Sequence, residues 1–157
     1  MSDDNATLWT VTIPAPCRWM TSNRGNSRSV GGRLAIAHLT RQWRFGAYSA
    51  AGLAQLPTGL TYVRMDFEAR FRGPAPVRDR MNLYPTIKAA IDGFGPGRVT
   101  ARTPYAVGWG LIPDDDDKHL QMGDLRIGPR LPTVPYGDAG HLIVTITDLS
   151  GAGVPRD

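Results

Sequence analysis

The chain has 157 residues, a formal net charge of +4 and 41% hydrophobic residues, which suits one domain with its own core and no need of disulfides or structural metal. A single cysteine, Cys17, and three scattered histidines, His38, His119 and His141, exclude an internal disulfide framework and a zinc-type cluster. No apolar run approaches the roughly 18 residues of a membrane span, and Met1-Ser2-Asp3-Asp4-Asn5 is no export signal, so the expectation is a cytoplasmic protein without a membrane partner.

Positions 8–13, Leu-Trp-Thr-Val-Thr-Ile, alternate with period two and stop at Pro14-Ala15-Pro16, which predicts a first strand. A polar loop follows over 21–28. From Arg33 to about Ala51 the apolar residues Leu34, Ala37, Leu39 and Trp43 recur at helical spacing and predict an amphipathic helix. Residues 60–71 alternate again, with Met65, Phe67, Ala69 and Phe71 on one side, and predict a second strand that Gly73-Pro74-Ala75-Pro76 ends. A second helix is expected from about Asn82 through Asp92, with Pro85 tolerated in its first turn and Gly93 breaking it. Residues 95–103 carry glycine, proline and arginine without periodicity and read as a mobile loop. A proline-rich passage over 129–135 precedes the clearest strand, at 141–147. The ends, 1–7 and 149–157, are expected to be loose. Strand, helix, strand, short helix, loop, strand makes an α+β chain: a single domain, 1–157, with a mixed β-sheet flanked by two main helices.

Charge is distributed unevenly along this chain. Between Asn5 and Met65 there is no acidic residue, whereas Arg18, Arg24, Arg28, Arg33, Arg41, Arg44 and Arg64 lie in that stretch. Arginine keeps its charge and offers a planar fork of donors that matches phosphate, so the pattern points to a polyanion, although a coding preference for arginine accounts for it equally well. Four of the 14 acidic residues are consecutive, Asp114 to Asp117, and one of only two lysines, Lys118, follows them directly. Magnesium takes carboxylate, phosphate and water oxygens and seldom needs more than one or two protein carboxylates. Clustered aspartates repel one another unless a cation intervenes. The alternative for such a run is a solvated turn. Lys88, the other lysine, sits four residues before Asp92; on one helix face the two make an ion pair, or Lys88 stabilises charge on a phosphate. Trp19, Trp43 and Trp109 are assigned to the core or an interface ahead of base stacking, and His119 to a solvated loop ahead of proton transfer.

Three motifs, taken together and in order, resemble a known family. Asp79-Arg80-Met81-Asn82-Leu83, Lys88-Ala89-Ala90-Ile91-Asp92-Gly93 and Gly110-Leu111-Ile112-Pro113-Asp114-Asp115 are similar to the motifs of RusA-type Holliday junction resolvases, above all their phage-encoded relatives. That family has an Asp-x-Asp-Asn-Leu element, a helix bearing Lys-Ala-x-x-Asp and a hydrophobic segment ending in paired aspartates. The resemblance implies a cytoplasmic homodimer, acting on four-way DNA junctions with Mg²⁺, or Mn²⁺ in its place. Carried onto this chain, it implies Asp79, Lys88, Asp114 and Asp115 as catalytic residues. The metal ligands would be Asp79, Asp114 and Asp115, with Asp116 available because the register in the run is open by one residue, and Asn82 and Asp92 would support the site. Arg18, Arg24, Arg28, Arg33, Arg98 and Arg102 would contact DNA backbone. Two departures stand out: Met81 replaces the second aspartate of the first element and cannot ligate a hard cation, and Tyr84-Pro85-Thr86 lengthens the step to Lys88.

Three functions follow as expectations. The first is a Mg²⁺-dependent, structure-selective endodeoxyribonuclease that resolves branched DNA in phage recombination or replication. The second is a catalytically weakened branched-DNA-binding protein that retains the fold. The third is a cation-binding protein unrelated to nucleic acid.

Overall fold

The computed structural model describes residues 6–22, 29–97, 107–135 and 137–152. In chain order the elements are β1 (Leu8–Pro14), α1 (Val30–Leu53), β2 (Val63–Phe71), α2 (Tyr84–Phe94), β3 (Leu120–Ile127) and β4 (Gly140–Asp148), with a 3-10 turn at Arg80–Leu83 before α2. The strands form one sheet in the order β1-β4-β2-β3. β4 runs antiparallel to both of its neighbours, and β3 is parallel to β2. The expected α+β fold, a mixed sheet with two helices, is what the chain adopts.

Alternation decides which face of the sheet is covered. Met65, Phe67 and Ala69 of β2 stand opposite Ile146, Val144 and Leu142 of β4, and Val11 and Ile13 of β1 stand opposite Val144 and Leu142. All are buried, and they merge with Trp43, Ala47, Ala50 and Ala51 of α1 and Ile87, Ala90, Ile91 and Phe94 of α2 in one core. On the other face of β2, Arg64 pairs with Asp66 at 3.0 Å, and Glu68 pairs with Arg70 at 2.7 Å and with Arg126 of β3 at 2.8 Å. With Asp124, which lies beside Asp66, Glu68 and Arg126 and also acts on Arg64, three carboxylates there balance the three arginines.

α1 begins where the Ser29 hydroxyl accepts the Gly32 amide at 3.0 Å, satisfying one of the first-turn donors. It is longer at both ends than the periodic stretch 33–51, because Gly31, Gly32 and Leu53 carry no apolar pattern that sequence could register. It closes with Gln55 at φ 52°, while the Gln55 and Leu56 amides donate to Gly52 and Ala51 carbonyls at 3.1 Å each, the bonding of a Schellman ending. The indoles are core residues in part: Trp19 and Trp43 are buried, 4.9 Å apart, with Trp19 also edge-on to Phe71. Each has its N–H satisfied, Trp19 by the Ala139 carbonyl at 2.9 Å and Trp43 by the Arg18 carbonyl at 3.1 Å.

Gly93 does not break α2, which continues to Phe94. It is there because α1 crosses α2 at that point: a Cβ on Gly93 would be pressed into the Arg44 carbonyl and lie 2.8 Å from the Ala47 Cβ. Near the sheet edge the sequence pattern misses β3 altogether. Leu120 and Met122 alternate in one phase and Leu125 and Ile127 in the other, because the β2–β3 register shifts between Met65 and Phe67; an irregularity of that kind erases period two. At the ends, Asp148 donates its amide to the Thr7 carbonyl and Leu149 to the Tyr62 carbonyl, both at 2.9 Å, so Thr7 and Leu149 are tied to the sheet rather than loose. Residues 1–5 and 153–157 lie outside the described residues.

The crossing yields a sharp stability test. Gly93→Ala is expected to lower unfolding free energy by about 1–3 kcal/mol in urea titrations, as overpacking does, in spite of alanine's better helix propensity. Gly31→Ala, with no atom within 4 Å of the added methyl, is expected to raise stability by roughly 0.4–1 kcal/mol.

Candidate active site

The C-terminal end of α2 organises the site. Its last carbonyls, which no helical amide can reach, are taken by a single extended segment: Trp109, Leu111 and Gly110 donate their amides to Gly93, Phe94 and Gly95 carbonyls, each at 2.9 Å. Gly110 bends at φ 83° to make this possible. The same segment is held from its other side, since Gly59 and Leu60 donate to the Gly110 and Leu111 carbonyls at 2.9 and 2.8 Å. Trp109 adds a bifurcated N–H bond to the Leu56 and Pro57 carbonyls at 3.1 and 3.2 Å, and Leu111 and Ile112 are fully buried. With those two residues fixed, Asp114 and Asp115 emerge beside α2.

Helical spacing sends Leu83, Ile87, Ala90, Ile91 and Phe94 into the core and leaves Tyr84, Lys88 and Asp92 on the opposite stripe. The Lys88 ammonium donates to Asp92 Oδ1 at 2.7 Å and, across the gap, to Asp115 Oδ2. It is therefore more than a helical ion pair. Burial opposes the charge on Lys88, but the bonds to Asp115 and Asp92 outweigh it and raise the lysine pKa. The bond from Lys88 holds the Asp115 carboxyl below the ordinary aspartate range, against the opposing effect of burial. The Asp115 amide also donates to Asp114 Oδ1 at 2.9 Å.

These side chains line an open cleft of about 270 Å³ together with Arg44 of α1, Ile91, Gly95 and Pro96. Arg44 donates from Nε to the Val107 carbonyl at 2.6 Å. Three carboxylates, Asp92, Asp114 and Asp115, thus face two cations, Lys88 and Arg44.

The other residues expected at the site lie elsewhere. Asp79 is exposed and caps the 3-10 turn, accepting the Met81 amide at 2.9 Å. Asn82 belongs to that turn, its amide bonded to the Asp79 carbonyl at 3.1 Å. Asp116 accepts the Lys118 amide at 3.1 Å and stands 4.0 Å from His119 Nε2, while His119 Nδ1 lies 2.9 Å from the Thr61 carbonyl. None of these lines the cleft. Met81 is 60% exposed, so no packing demand keeps an apolar side chain there. Arg18 lies beside a shallow apolar groove formed with Trp19, Met20, Ile36, Leu39 and Pro85, and Arg33 is exposed in the first turn of α1. Arg24, Arg28, Arg98 and Arg102 lie outside the described residues.

Arg44 is the cleft residue that sequence reasoning left among the general arginines. Only the α1–α2 crossing brings it to Lys88, and no local motif announces that.

The donor set suits a hard cation, since every acidic group facing the cleft is a carboxylate and one or two are enough for Mg²⁺. Among the described residues no group of three or more Asp, Glu, His or Cys converges as a closed metal cage. Asp114 and Asp115 are the side chains here that could hold such an ion with most of its waters retained. No protein-family model matches the chain, and no curated protein matches it. No helix among the described residues is long and apolar enough to cross a membrane.

The bridge predicts a pH signature. Asp115 has a folded pKa below its unfolded one, so its contribution is present above about pH 4 and is lost as pH falls through the folded value. Lys88 has a folded pKa above its unfolded one, so its contribution is present below about pH 10 and is lost as pH rises through the folded value. The stability difference between wild type and Lys88→Met should be flat from about pH 5 to 9 and narrow at both extremes. Carboxyl NMR should show the Asp115 midpoint moving upward in Lys88→Met; an unmoved midpoint would refute the bridge.

Proposed function

We propose that the protein is a RusA-like, Mg²⁺-dependent endodeoxyribonuclease that hydrolyses phosphodiesters in branched DNA, Holliday junctions among them, and acts in the cytoplasm as a homodimer. The observation that carries the reading is the meeting of Lys88, Asp92, Asp114, Asp115 and Arg44 in one open cleft. Four of these five lie in the motifs that resemble the family at the lysine helix and the paired aspartates, and the cleft joins two motifs that are separated by 16 residues of chain.

Asp114 and Asp115 would hold the metal. Mg²⁺ bound there would supply an acidified water and screening of the charge that develops on the phosphate. Lys88 and Arg44 would bind the non-bridging oxygens of the scissile phosphate, a point charge from one side and a planar fork from the other. Asp92 orients Lys88. A phosphate alone would meet three carboxylates in this cleft, so its binding is expected to depend on the cation. Arg18 and Arg33, with Arg24, Arg28, Arg98 and Arg102, would track the DNA backbone and favour shape over sequence.

Met81 and the engagement of Asp79 as a turn cap favour a second reading in one respect. A site with fewer carboxylates than its relatives suits a branched-DNA-binding protein with weakened catalysis.

A labelled four-way junction incubated with the protein and Mg²⁺ or Mn²⁺ separates the two. Symmetric paired nicks, absent from linear duplex and reduced at least about 100-fold in Asp115→Asn and Lys88→Met, are the expected result. Tight junction binding without nicks would establish the second reading. Met81→Asp should leave stability within about 0.5 kcal/mol, as an exposed substitution does.

A further inference from the structure

Lys88 has a geometry that a phosphate-binding lysine alone does not need. Its ammonium contacts two carboxylates at once, Asp92 on its own helix and Asp115 on the facing loop. Two carboxylates converging on one positive centre is the arrangement that a metal ion would itself make. The centre belongs to a side chain that is 43% exposed and carried on a flexible four-carbon stem, so it is free to swing. Asp92, by contrast, is on the same helix face one turn away and moves with Lys88.

We propose that Lys88 is the built-in counterion of the cleft, occupying Asp115 until a divalent cation arrives, and that the cation displaces it from Asp115 onto Asp92 and the substrate phosphate. This rests on the metal site of the proposed function and adds an order to it: metal first, lysine released second. Asp115 cannot serve both cations fully, because a divalent ion at that carboxylate places two positive charges beside the ammonium and repels it. Asp92 is then the resting place that keeps the displaced ammonium in the cleft. Lys88 and the metal are competitors in the free protein and become partners only when phosphate bridges them.

Competition and cooperation have opposite signs in a direct binding measurement. Mn²⁺ is titrated into the DNA-free full-length protein and followed by calorimetry and by the electron paramagnetic resonance of free Mn²⁺, for wild type, Lys88→Met, Asp92→Asn and the double variant. Lys88→Met is expected to bind Mn²⁺ about five- to tenfold more tightly than wild type, the size of a modest coupling energy, even though it loses nuclease activity. Asp92→Asn is expected to bind more weakly, because the ammonium loses its resting place, and to have little further effect when Lys88 is already methionine. That last comparison separates Asp92 acting through Lys88 from Asp92 acting as a ligand.

Equal or weaker Mn²⁺ binding by Lys88→Met would overturn the competition while leaving the metal site intact. Unchanged or tighter binding by Asp92→Asn would overturn it too, and that variant keeps the native lysine should Lys88→Met fail to fold. Absence of Mn²⁺ binding in both wild type and Lys88→Met would overturn the competition and the metal reading together. Binding that appears only in Lys88→Met would support the competition in its strongest form.

Discussion

The contact on which the site depends is the approach of two helix backbones at Gly93. With no side chain there, α2 lies against the Arg44 carbonyl and Ala47 of α1. Three consequences follow from that one absence. Arg44 is carried to the wall of the cleft. The helices share a core of small and medium side chains, with Ala47, Ala50 and Ala51 facing Ala90, Ile91 and Phe94. The end of α2 is set at a height where the segment through Trp109, Gly110 and Leu111 can cap its carbonyls. Asp115 reaches Lys88 because that cap is in place, so a packing constraint in the core fixes charge geometry at the surface.

Charge is handled differently on the two sides of the molecule. On the open face of the sheet each acidic residue of β2 has an arginine beside it, Asp66 with Arg64 and Glu68 with Arg70 and Arg126. Glu68 is itself buried beneath its two arginines, while the Arg64–Asp66 pair is partly exposed and adds little to stability; together with Asp124 they leave that face locally neutral. In the cleft the balance is uneven, three carboxylates to two cations. An uneven cluster of this kind is costly to keep in a protein without some further cation to complete it.

Sequence made the sheet core and both helices legible because period two and period 3.6 are properties of local chain geometry. Val11 and Ile13, Met65 to Phe71, and Leu142 to Ile146 point inward as their alternation implies. What escaped was set by long-range partners. β3 hid because a register shift opposite Met65 to Phe67 reverses its alternation. Gly93 looked like a helix stop because a glycine required for close packing and a glycine that ends a helix are the same letter. At the site, Lys88, Asp92, Asp114 and Asp115 were legible from motif, since each lies next to residues whose burial is itself patterned. Asp79 and Asp116, chemically indistinguishable from them in sequence, lie outside the cleft and hold backbone amides at turns, as Asp114 also does from within it. An aspartate's two ordinary roles, ligand and cap, draw on the same oxygen lone pairs. Only the fold says which amide or cation is near enough to claim them.

An acidic cleft in a basic chain also bears on how a polyanion would be received. On the proposed reading, the net charge of +4 would draw nucleic acid toward the protein at long range, where individual signs blur. Within a few ångströms the three carboxylates reverse that attraction. On the proposed reading the cation does not merely activate water, because it also changes the sign of the cleft that phosphate meets. A lysine seated on Asp115 already performs half of this neutralisation with one charge, and a divalent ion in its place performs it with two while releasing the lysine. Binding of DNA outside the cleft and cleavage within it are then separately controlled, the first by arginines that are always charged and the second by a cation that must displace a resident ammonium. On that reading, contact of the DNA backbone with arginines outside the cleft would be little affected by the metal, whereas entry of phosphate into the cleft and its chemistry would depend on it, a separation that a uniformly basic site could not provide.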